Sequence, residues 1–402
     1  MVTSQNIQLQ SILKLNEEIS QIQDLDAVLD YLLTRAREMT HADSGTLYIA
    51  DGDNLVFSYT QNETLFTSNL DNKNLYAAFK VPINDNSIAG YVANRRELLN
   101  IPEVYSLDEA LPFSFNSSFD KSSGYCTQSM LTAPIINAHQ DMVGVLQLIN
   151  AKTPENEITS FTKDDEMLIT YFAGNASVHI ERAELTRELI LRMIKMAELR
   201  DPKETGAHVN RVGAVAAELY VHWATKKGID PIEIKKQKGN MRLAGMLHDV
   251  GKIAISDLIL KKPGRFDDDE RMIMNFHTIY GARLFLNSKS EIDQLSEKIA
   301  LTHHENWDGT GYPGKIGDIN KDIESMGEGY KGEEIPLGGR IVAIADVYDA
   351  LMSIRVYKSA WTEEDTLNEL RTCSGTQFDP ELIDYFFEIY DTVKAIRGKY
   401  LD

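Results

Sequence analysis

Histidine and carboxylate side chains that could bind metal ions gather in the second half of the sequence. His248 and Asp249 are adjacent, and Lys252 follows three residues later within a mostly apolar stretch. Buried imidazole and carboxylate groups need partners, and a bound metal is the strongest partner available. We therefore expect these three residues on a largely buried helix, in a metal site. A hydrogen-bonded structural pair is the alternative for any single His-Asp sequence.

Further candidate ligands surround this pair. Glu204 and His208 are four residues apart, so they face the same way on a helix. Asp346 lies within an apolar, helix-like run, where an acid is costly unless it is paired or metal-bound. The predicted metal ligands are Glu204, His208, His248, Asp249, His277, His303, His304 and Asp346.

This set of side chains favours hydrolytic chemistry. Imidazole with carboxylate suits iron, manganese or zinc, and no cysteine lies near these residues. Eight candidate ligands exceed what one ion needs, so two or three divalent ions are expected. Two ions about 3.5–4 Å apart can activate a water molecule and clamp a phosphate group.

The first half of the sequence has the pattern of an α+β domain. Apolar residues spaced three or four apart predict a helix within residues 1–24, and a second helix follows from residue 25 to residue 39. Strands are predicted over 45–50, 55–59, 130–136 and 142–149, with polar turns at 51–54 and 137–141. Together these elements predict a central antiparallel sheet.

A long helix is predicted to join the two halves of the chain. Its final part, residues 166–200, contains no proline, and Pro202 marks its end. A heptad-like apolar seam consists of Leu185, Leu189, Arg192, Met196 and Leu199. Such a seam is typical of helices that pair in a parallel homodimer. The alternative is that this helix packs against its own domain.

The first half resembles a GAF domain. The resemblance is carried by the motifs at 88–93, 133–136, 143–150 and 161–165, and it covers most of residues 25–180. It implies a sensor domain that binds an unknown small ligand. The aromatic and serine-rich segment 103–128 is either part of a pocket or a flexible loop.

The second half resembles the HD-GYP family of cyclic di-GMP phosphodiesterases. The pattern of His208, His248-Asp249 and Asp346 is that of HD phosphohydrolases. The narrower resemblance rests on His277, His303-His304-Glu305 and the motifs at 205–208, 260–264, 307–313, 333–337, 355–358 and 378–380. It covers nearly the whole of residues 190–395.

The family resemblance implies roles for individual residues. Asp249 and Lys252 fall on catalytic positions, Lys252 near the scissile phosphate, where it could stabilise negative charge or protonate the leaving oxygen. Glu204 falls on a position that is glutamate in members with three metals, which favours a trinuclear iron or manganese site. The implied substrate contacts are Lys252, Asp308, Gly309, Tyr312, Pro313, Arg355 and Lys358.

The fold class is therefore an α+β GAF domain followed by an all-α HD-type metal phosphohydrolase domain, joined by a long signalling helix. The predicted organisation is an N-terminal helix (1–24), a GAF-like domain (25–165), a linker helix (166–200) and an HD-GYP domain (201–402). The expected function is GAF-regulated hydrolysis of cyclic di-GMP to pGpG and on to GMP. Two alternatives stay open: a cyclic GMP-AMP phosphodiesterase, and a non-catalytic metal-binding sensor or partner-binding module that contacts a diguanylate-cyclase domain.

Composition excludes some other functions. The net charge of −20 argues against binding to nucleic acid polymers, whose phosphates would be repelled. No stretch is long and apolar enough to span a membrane, and the two cysteines are far apart, which fits a reducing cytoplasm. Residues 315–331 form an acidic insert relative to the family pattern. The insert could cover the site, narrow its range of substrates or slow substrate entry, or it could be inert.

Overall fold

The computed structural model describes residues 18–20, 22, 24–65, 80–200, 206–321, 325–353 and 360–400. The chain divides into two compact units, Met1–Thr186 and Arg187–Asp402. The division falls inside one long helix, within residues 166–200, which the sequence predicts as the linker.

The first unit is built on an antiparallel sheet. Its strands are β1 (Ala42–Asp51), β2 (Asn54–Asn62), β3 (Lys80–Pro82), β4 (Leu99–Ile101), β5 (Met130–Ile136), β6 (Met142–Lys152) and β7 (Ile158–Thr159). Within the described residues the order is β3-β2-β1-β6-β5-β4, and β7 pairs with β6. The predicted antiparallel sheet is confirmed, and each predicted strand lies within an observed one.

The helices of the first unit are α1 (Leu25–Thr40), α2 (Ile88–Arg95) and α3 (Ser118–Ser123). Helix α1 begins after Asp24, whose side chain accepts a hydrogen bond from the amide of Ala27 and thereby caps the helix. Its buried face, which includes Leu29 and Leu32, belongs to the main core cluster with strand residues such as Leu148. Residues 18–20 are helical, and most of the predicted helix over 1–24 lies outside the described residues.

A single helix, α4 (Lys163–Arg200), forms the predicted long helix. Opposite faces of α4 differ in how far their side chains are buried. Ile180, Ile190 and Ile194 are buried, whereas Leu185 and Leu189 are exposed by half or more. Within the described residues, the predicted heptad seam thus lies on the exposed side of the helix.

The described regular elements of the second unit are all helical. They comprise α5 (Gly206–Lys226), α6 (Pro231–Met246), a 3-10 helix (Val250–Ala254), α7 (Asp257–Leu260), α8 (Asp268–Asn275), α9 (His277–Arg283), α10 (Glu291–Thr302), a short 3-10 turn (Gly332–Glu334), α11 (Leu337–Met352), α12 (Glu363–Thr372), α13 (Pro380–Glu388) and α14 (Tyr390–Lys399). The core lies among α5, α11 and α13, with Leu219, Ile344 and Phe386 fully buried. The predicted all-α fold is confirmed. None of the described helices combines the length and apolarity needed to cross a membrane.

Candidate metal centre

His248 and Asp249 lie in a turn, and the prediction that they sit on a helix is wrong. Helix α6 ends at Met246, residues 247–249 form the turn, and the 3-10 helix begins at Val250. Gly251 lies against α9 so closely that an added Cβ would be 2.0 Å from the carbonyl oxygen of His277. A continued α-helix would direct neighbouring side chains about 100° apart around one axis. The turn instead lets these two adjacent residues face the same interior space.

The first group of candidate ligands comprises Asp249, His277, His303 and His304. Their ligand atoms all lie within 4.8 Å of one another. Oδ1 of Asp249 is 3.0 Å from Nε2 of His277 and 3.6 Å from Nε2 of His303. These residues come from the turn, the start of α9 and the end of α10, so tertiary packing brings them together.

The second group comprises His208, His248 and Asp346, again with ligand atoms within 4.8 Å. Oδ1 of Asp346 lies 3.5 Å from Nε2 of His208 and 3.9 Å from Nε2 of His248. Helices α5 and α11 supply His208 and Asp346, and these helices pack against each other in the core.

Asp249 connects the two groups. Its Oδ1 faces His277 in the first group, and its Oδ2 lies 3.3 Å from Nε2 of His248 in the second. One carboxylate with an oxygen directed to each group has the geometry of a bridging ligand between two ions.

Three of the histidines are oriented by hydrogen bonds from their Nδ1 atoms to backbone carbonyl oxygens. Nδ1 of His248 lies 2.9 Å from the carbonyl oxygen of Gly245, and Nδ1 of His277 lies 2.7 Å from that of Met274. Nδ1 of His303 is 3.1 Å from the carbonyl oxygen of Ile299. A carbonyl can only accept, so in each ring Nδ1 carries the proton and Nε2 is available as a metal ligand.

Several buried polar atoms in the site fit a divalent metal. Nε2 of His277, Nε2 of His303 and Oδ1 of Asp249 are buried and form no hydrogen bond within the described part of the chain. Leaving such atoms unsatisfied is costly, whereas a metal ion would satisfy all three at once. Nitrogen and carboxylate donors without thiolate suit iron, manganese or zinc.

Shifted pKa values favour neutral imidazoles at His303 and His304 and an ionised carboxylate at Asp249. Burial lowers the pKa of His303 and holds the pKa of His304 well below its usual value, because a buried site disfavours the charged imidazolium. Burial opposes the ionisation of Asp249, but the positive charge of Lys252 prevails and keeps the pKa of Asp249 well below the ordinary range. These are the protonation states in which the groups bind metals.

Lys252 places a cation at the edge of the metal centre. Its Nζ lies 2.7 Å from Oδ2 of Asp249, and its side chain is 19% exposed. A substrate phosphate held at the two ligand groups would therefore lie within reach of a partly accessible ammonium group.

The segment from Asp308 to Pro313 borders the first ligand group. The ring of Tyr312 stacks on His304 with centroids 4.8 Å apart, and the Tyr312 amide donates to the His304 carbonyl. Asp308 accepts hydrogen bonds from the amide and hydroxyl of Thr310, and Gly309 has a left-handed φ of 87°. Tyr312 therefore lies beside the centre, whereas the Asp308 carboxylate shapes the turn. Pro313 is buried, and its carbonyl accepts a hydrogen bond from the amide of Gly327.

Glu305 fixes both ends of the predicted insert. Its carboxylate is buried and accepts a 2.6 Å hydrogen bond from the amide of Gly314 and a 3.1 Å hydrogen bond from the amide of Tyr330. Arg283, at the end of α9, donates to the carbonyl oxygens of Ile319 and Lys321. The described part of the insert is thus anchored to elements that carry metal ligands.

Three predicted site residues lie outside the described part of the chain. These are Glu204, Arg355 and Lys358. A third metal position and the cationic pair for the substrate stay predictions.

Sequence reasoning missed Asp349 as a member of the site. Its Oδ2 lies 2.8 Å from Nδ1 of His208, and its Oδ1 accepts a 2.6 Å hydrogen bond from Arg211. Asp349 thereby orients His208, the fourth histidine, as the backbone carbonyls orient the other three. Its signal in the sequence is a second carboxylate three residues after Asp346 in the same apolar helix.

Comparison with known proteins gives two family matches. The HD domain family matches residues 180–382, and the GAF domain family matches residues 24–180. These matches confirm the predicted succession of a GAF domain and an HD domain.

Three bacterial proteins are similar to more than half of this chain. The 3′3′-cGAMP-specific phosphodiesterase 2 of Vibrio cholerae serotype O1 is 39% identical over 57% of this chain and 39% of its own length. A cyclic di-GMP phosphodiesterase of Thermotoga maritima is 38% identical over 53% of this chain and 52% of its own. A cyclic di-GMP phosphodiesterase of Vibrio cholerae serotype O1 is 34% identical over 59% and 46%, respectively. The chain thus spans about two fifths to one half of these relatives.

Proposed function

Since the chain belongs to the HD domain family, we propose that it is a metal-dependent phosphodiesterase that hydrolyses cyclic di-GMP to pGpG and then to GMP. The proposal is carried by one observation: Asp249 lies between two groups of histidine and carboxylate ligands, with Lys252 at 2.7 Å. Two relatives that bear the name cyclic di-GMP phosphodiesterase support the choice of substrate.

The protein's own residues hold and orient the reacting groups. His277, His303, His304 and Asp249 would bind one ion, and His208, His248, Asp346 and Asp249 a second. Such ions would supply Lewis acidity and an activated water. Lys252 stabilises negative charge on the phosphate and provides a proton for the leaving 3′ oxygen. Tyr312 orients His304 and forms a wall of the substrate site.

The finer features of the site follow the sequence resemblance. We propose iron or manganese as the metal, with Glu204 as ligand to a third ion. Arg355 and Lys358 bind the guanylate and phosphate groups of the substrate. A third ion would favour the second cut, from pGpG to GMP.

Anaerobic turnover tests the proposal. The protein is reconstituted with ferrous iron or manganese and supplied with cyclic di-GMP, and the products are separated by chromatography. GMP as the end product supports a three-metal site, and accumulated pGpG supports a two-metal site. Absence of hydrolysis with metals bound would contradict the proposed activity and favour the non-catalytic sensor or partner-binding module.

Cyclic GMP-AMP is the second candidate substrate. It is favoured by the relative of 39% identity, whose name specifies 3′3′-cGAMP. Parallel measurements of kcat/KM for the two cyclic dinucleotides at the same metal loading decide between them. A kcat/KM for cyclic GMP-AMP more than about tenfold higher than that for cyclic di-GMP would overturn the choice of cyclic di-GMP.

The GAF domain is the proposed regulatory site. A cleft of about 560 Å³ in this domain is lined by Tyr105, Phe113, Phe115, Asp108 and other residues of the predicted aromatic segment. We place the unknown small ligand there. A thermal-shift screen of small metabolites, repeated with Phe115→Asp, tests this assignment, since a ligand of the cleft would no longer stabilise the variant.

The chain is proposed to act as a homodimer through α4. Tyr171 and Val178 precede Leu185 at seven-residue intervals and are 68% and 61% exposed. They continue one apolar row of the seam towards the start of the helix, whereas the other row has Asn175 and Arg182 there. The exposed apolar row supports pairing of two α4 helices. The turn at 309–313 is the proposed contact surface for a diguanylate-cyclase domain, which binding assays with Tyr312→Ala would test.

A further inference from the structure

The last residue of α4, Arg200, is bonded to the segment that follows Lys252. One guanidinium nitrogen donates to the carbonyl oxygen of Ile253. The other donates to the carbonyl oxygen of Ile255 at 2.8 Å and to the carboxylate of Asp257 at 2.7 Å. A planar guanidinium that makes three hydrogen bonds to one short segment restricts that segment more than a single contact would.

The same segment is held on its other side by α9. Gly251 lies in the 3-10 helix, and an added Cβ there would be 2.0 Å from the carbonyl oxygen of His277 and 2.3 Å from the amide nitrogen of Gly281. The 3-10 helix is therefore confined between α9, which begins with a ligand residue, and the end of α4. Lys252 lies within this confined segment.

The position of Lys252 depends on local hydrogen bonds in that segment. Its amide donates to the carbonyl oxygen of Asp249, and its own carbonyl accepts from the amide of Ile255, both at 3.0 Å. Arg200 binds the carbonyl groups of residues 253 and 255, on either side of the end of the 3-10 helix. Loss of Arg200 would loosen the C-terminal half of the segment while leaving the turn at 247–249 intact.

Helix α4 also has an apolar contact with residues next to the metal ligands. Ile190 and Ile194 belong to one buried cluster with Val209, Leu247 and Val250, which adjoin His208, His248 and Asp249 in sequence. This contact supports the ligands, whereas the bonds from Arg200 support the segment beyond them. The two contacts thus fasten the same helix to different parts of the site.

We propose that Arg200 is a positioning residue that fixes the 3-10 segment carrying Lys252 and makes the placement of its ammonium group depend on the end of α4. A displacement of α4 then reaches Lys252 without removing any metal ligand. This inference rests on the proposed phosphodiesterase function for its kinetic consequence, but the structural link can be measured without substrate.

The kinetic test is a double-mutant cycle with Arg200→Met, Lys252→Met and the double variant. Arg200→Met is expected to lower kcat by about tenfold to a hundredfold with little change in KM, because a misplaced catalytic group costs rate rather than binding. In the Lys252→Met background the same change is expected to have no further effect. If kcat of the double variant falls by the product of the factors measured for the two single variants, the proposal is overturned.

A matched control is Lys195→Met. Lys195 lies on the same helix, carries the same charge and forms an exposed ion pair with Glu198 at 3.0 Å. It is expected to leave kcat, metal content and thermal stability unchanged. Arg200→Lys, which retains the charge but lacks the planar fork, is expected to restore part of the kcat lost in Arg200→Met.

Hydrogen exchange separates this inference from the proposed function. The amides of residues 252–257 are expected to exchange faster in Arg200→Met than in wild type or Lys195→Met, with metal content unchanged. Unaltered exchange would overturn the positioning role even if the enzyme is active. If no cyclic dinucleotide is hydrolysed by the wild type, the proposed function fails, and exchange alone decides whether Arg200 holds the segment.

Discussion

His208 and Asp349 are 141 positions apart, yet Nδ1 of His208 lies 2.8 Å from Oδ2 of Asp349. Both residues are buried, and Arg211 and Arg397 complete the surroundings of the carboxylate. Burial raises the pKa of Asp349, but the hydrogen bonds from His208 and Arg211 outweigh it and hold this pKa below its ordinary value. The aspartate is thus an ionised acceptor that directs Nε2 of His208 towards the metal centre.

Asp349→Asn is expected to weaken metal binding by about tenfold to a hundredfold, as is usual when an outer hydrogen-bond partner of a ligating histidine is lost. An amide can still contact His208 but no longer carries the charge that favours its orientation. Metal titration followed by elemental analysis measures the effect. Asp391→Asn, an exposed change on α14, is the control. Equal metal affinity in Asp349→Asn and wild type would contradict the assigned role.

Asp249→Ala is expected to lower turnover at least about a hundredfold, because a metal centre supplies several kcal/mol of transition-state stabilisation. The change removes the carboxylate that faces both ligand groups and leaves Lys252 without its 2.7 Å partner. Initial rates at saturating metal provide the measurement. Full activity in this variant would exclude a bridging role for Asp249.

Glu305→Gln is expected to destabilise the second unit and raise KM. The buried carboxylate accepts from Gly314 and Tyr330, whereas an amide offers only one acceptor oxygen. One buried amide left without a partner costs about 1–3 kcal/mol. Urea unfolding and substrate titration measure the two effects, with the exposed change Glu364→Gln as the control. An unchanged KM would show that the segment from Tyr312 to Gly314 does not depend on this anchor.

Metal-free protein is expected to lose stability as the pH falls below about 6.5, the histidine pKa in an unfolded chain. Folding lowers the pKa values of His303 and His304, mainly through burial. The unfolded chain therefore binds more protons below pH 6.5, so stability present above that pH is lost towards the lower, folded-state pKa values. Aspartate side chains titrate near pH 4, so their effect on stability falls in a separate pH range.

Urea unfolding in the presence of a chelator at pH 7.5 and pH 5.5 measures this effect. His304→Gln removes one titrating group and is expected to reduce the difference between the two pH values. A difference as large as in wild type would assign the pH dependence to other residues.

Leu189→Glu combined with Met196→Glu is expected to convert a dimer into monomers. Both side chains are at least half exposed on α4, and charges at such seam positions would repel their counterparts in a parallel pair. Light scattering coupled to gel filtration gives the mass. The control is Leu258→Glu, because Leu258 is 85% exposed on α7 and lies off the seam. A monomeric wild type would contradict the proposed homodimer.

The sequence alone identified the kinds of side chain in the metal centre. Residue type decides ligand chemistry, so His248, His277 and Asp346 could be recognised as candidates without knowing their distances. Helix and strand patterns were equally accessible, because the periodicity that predicts α4 or the hairpin between β1 and β2 is contained within a few neighbouring residues.

Only the tertiary structure decided how these residues work together. The turn that directs both oxygens of Asp249 to different ligand groups, and the bond from Asp349 to His208, arise where elements distant in sequence pack together. Arg200 is another such case, since it is 53 positions from Ile253. Local periodicity describes one element at a time, whereas these contacts are set by the close packing of several elements around shared buried polar atoms.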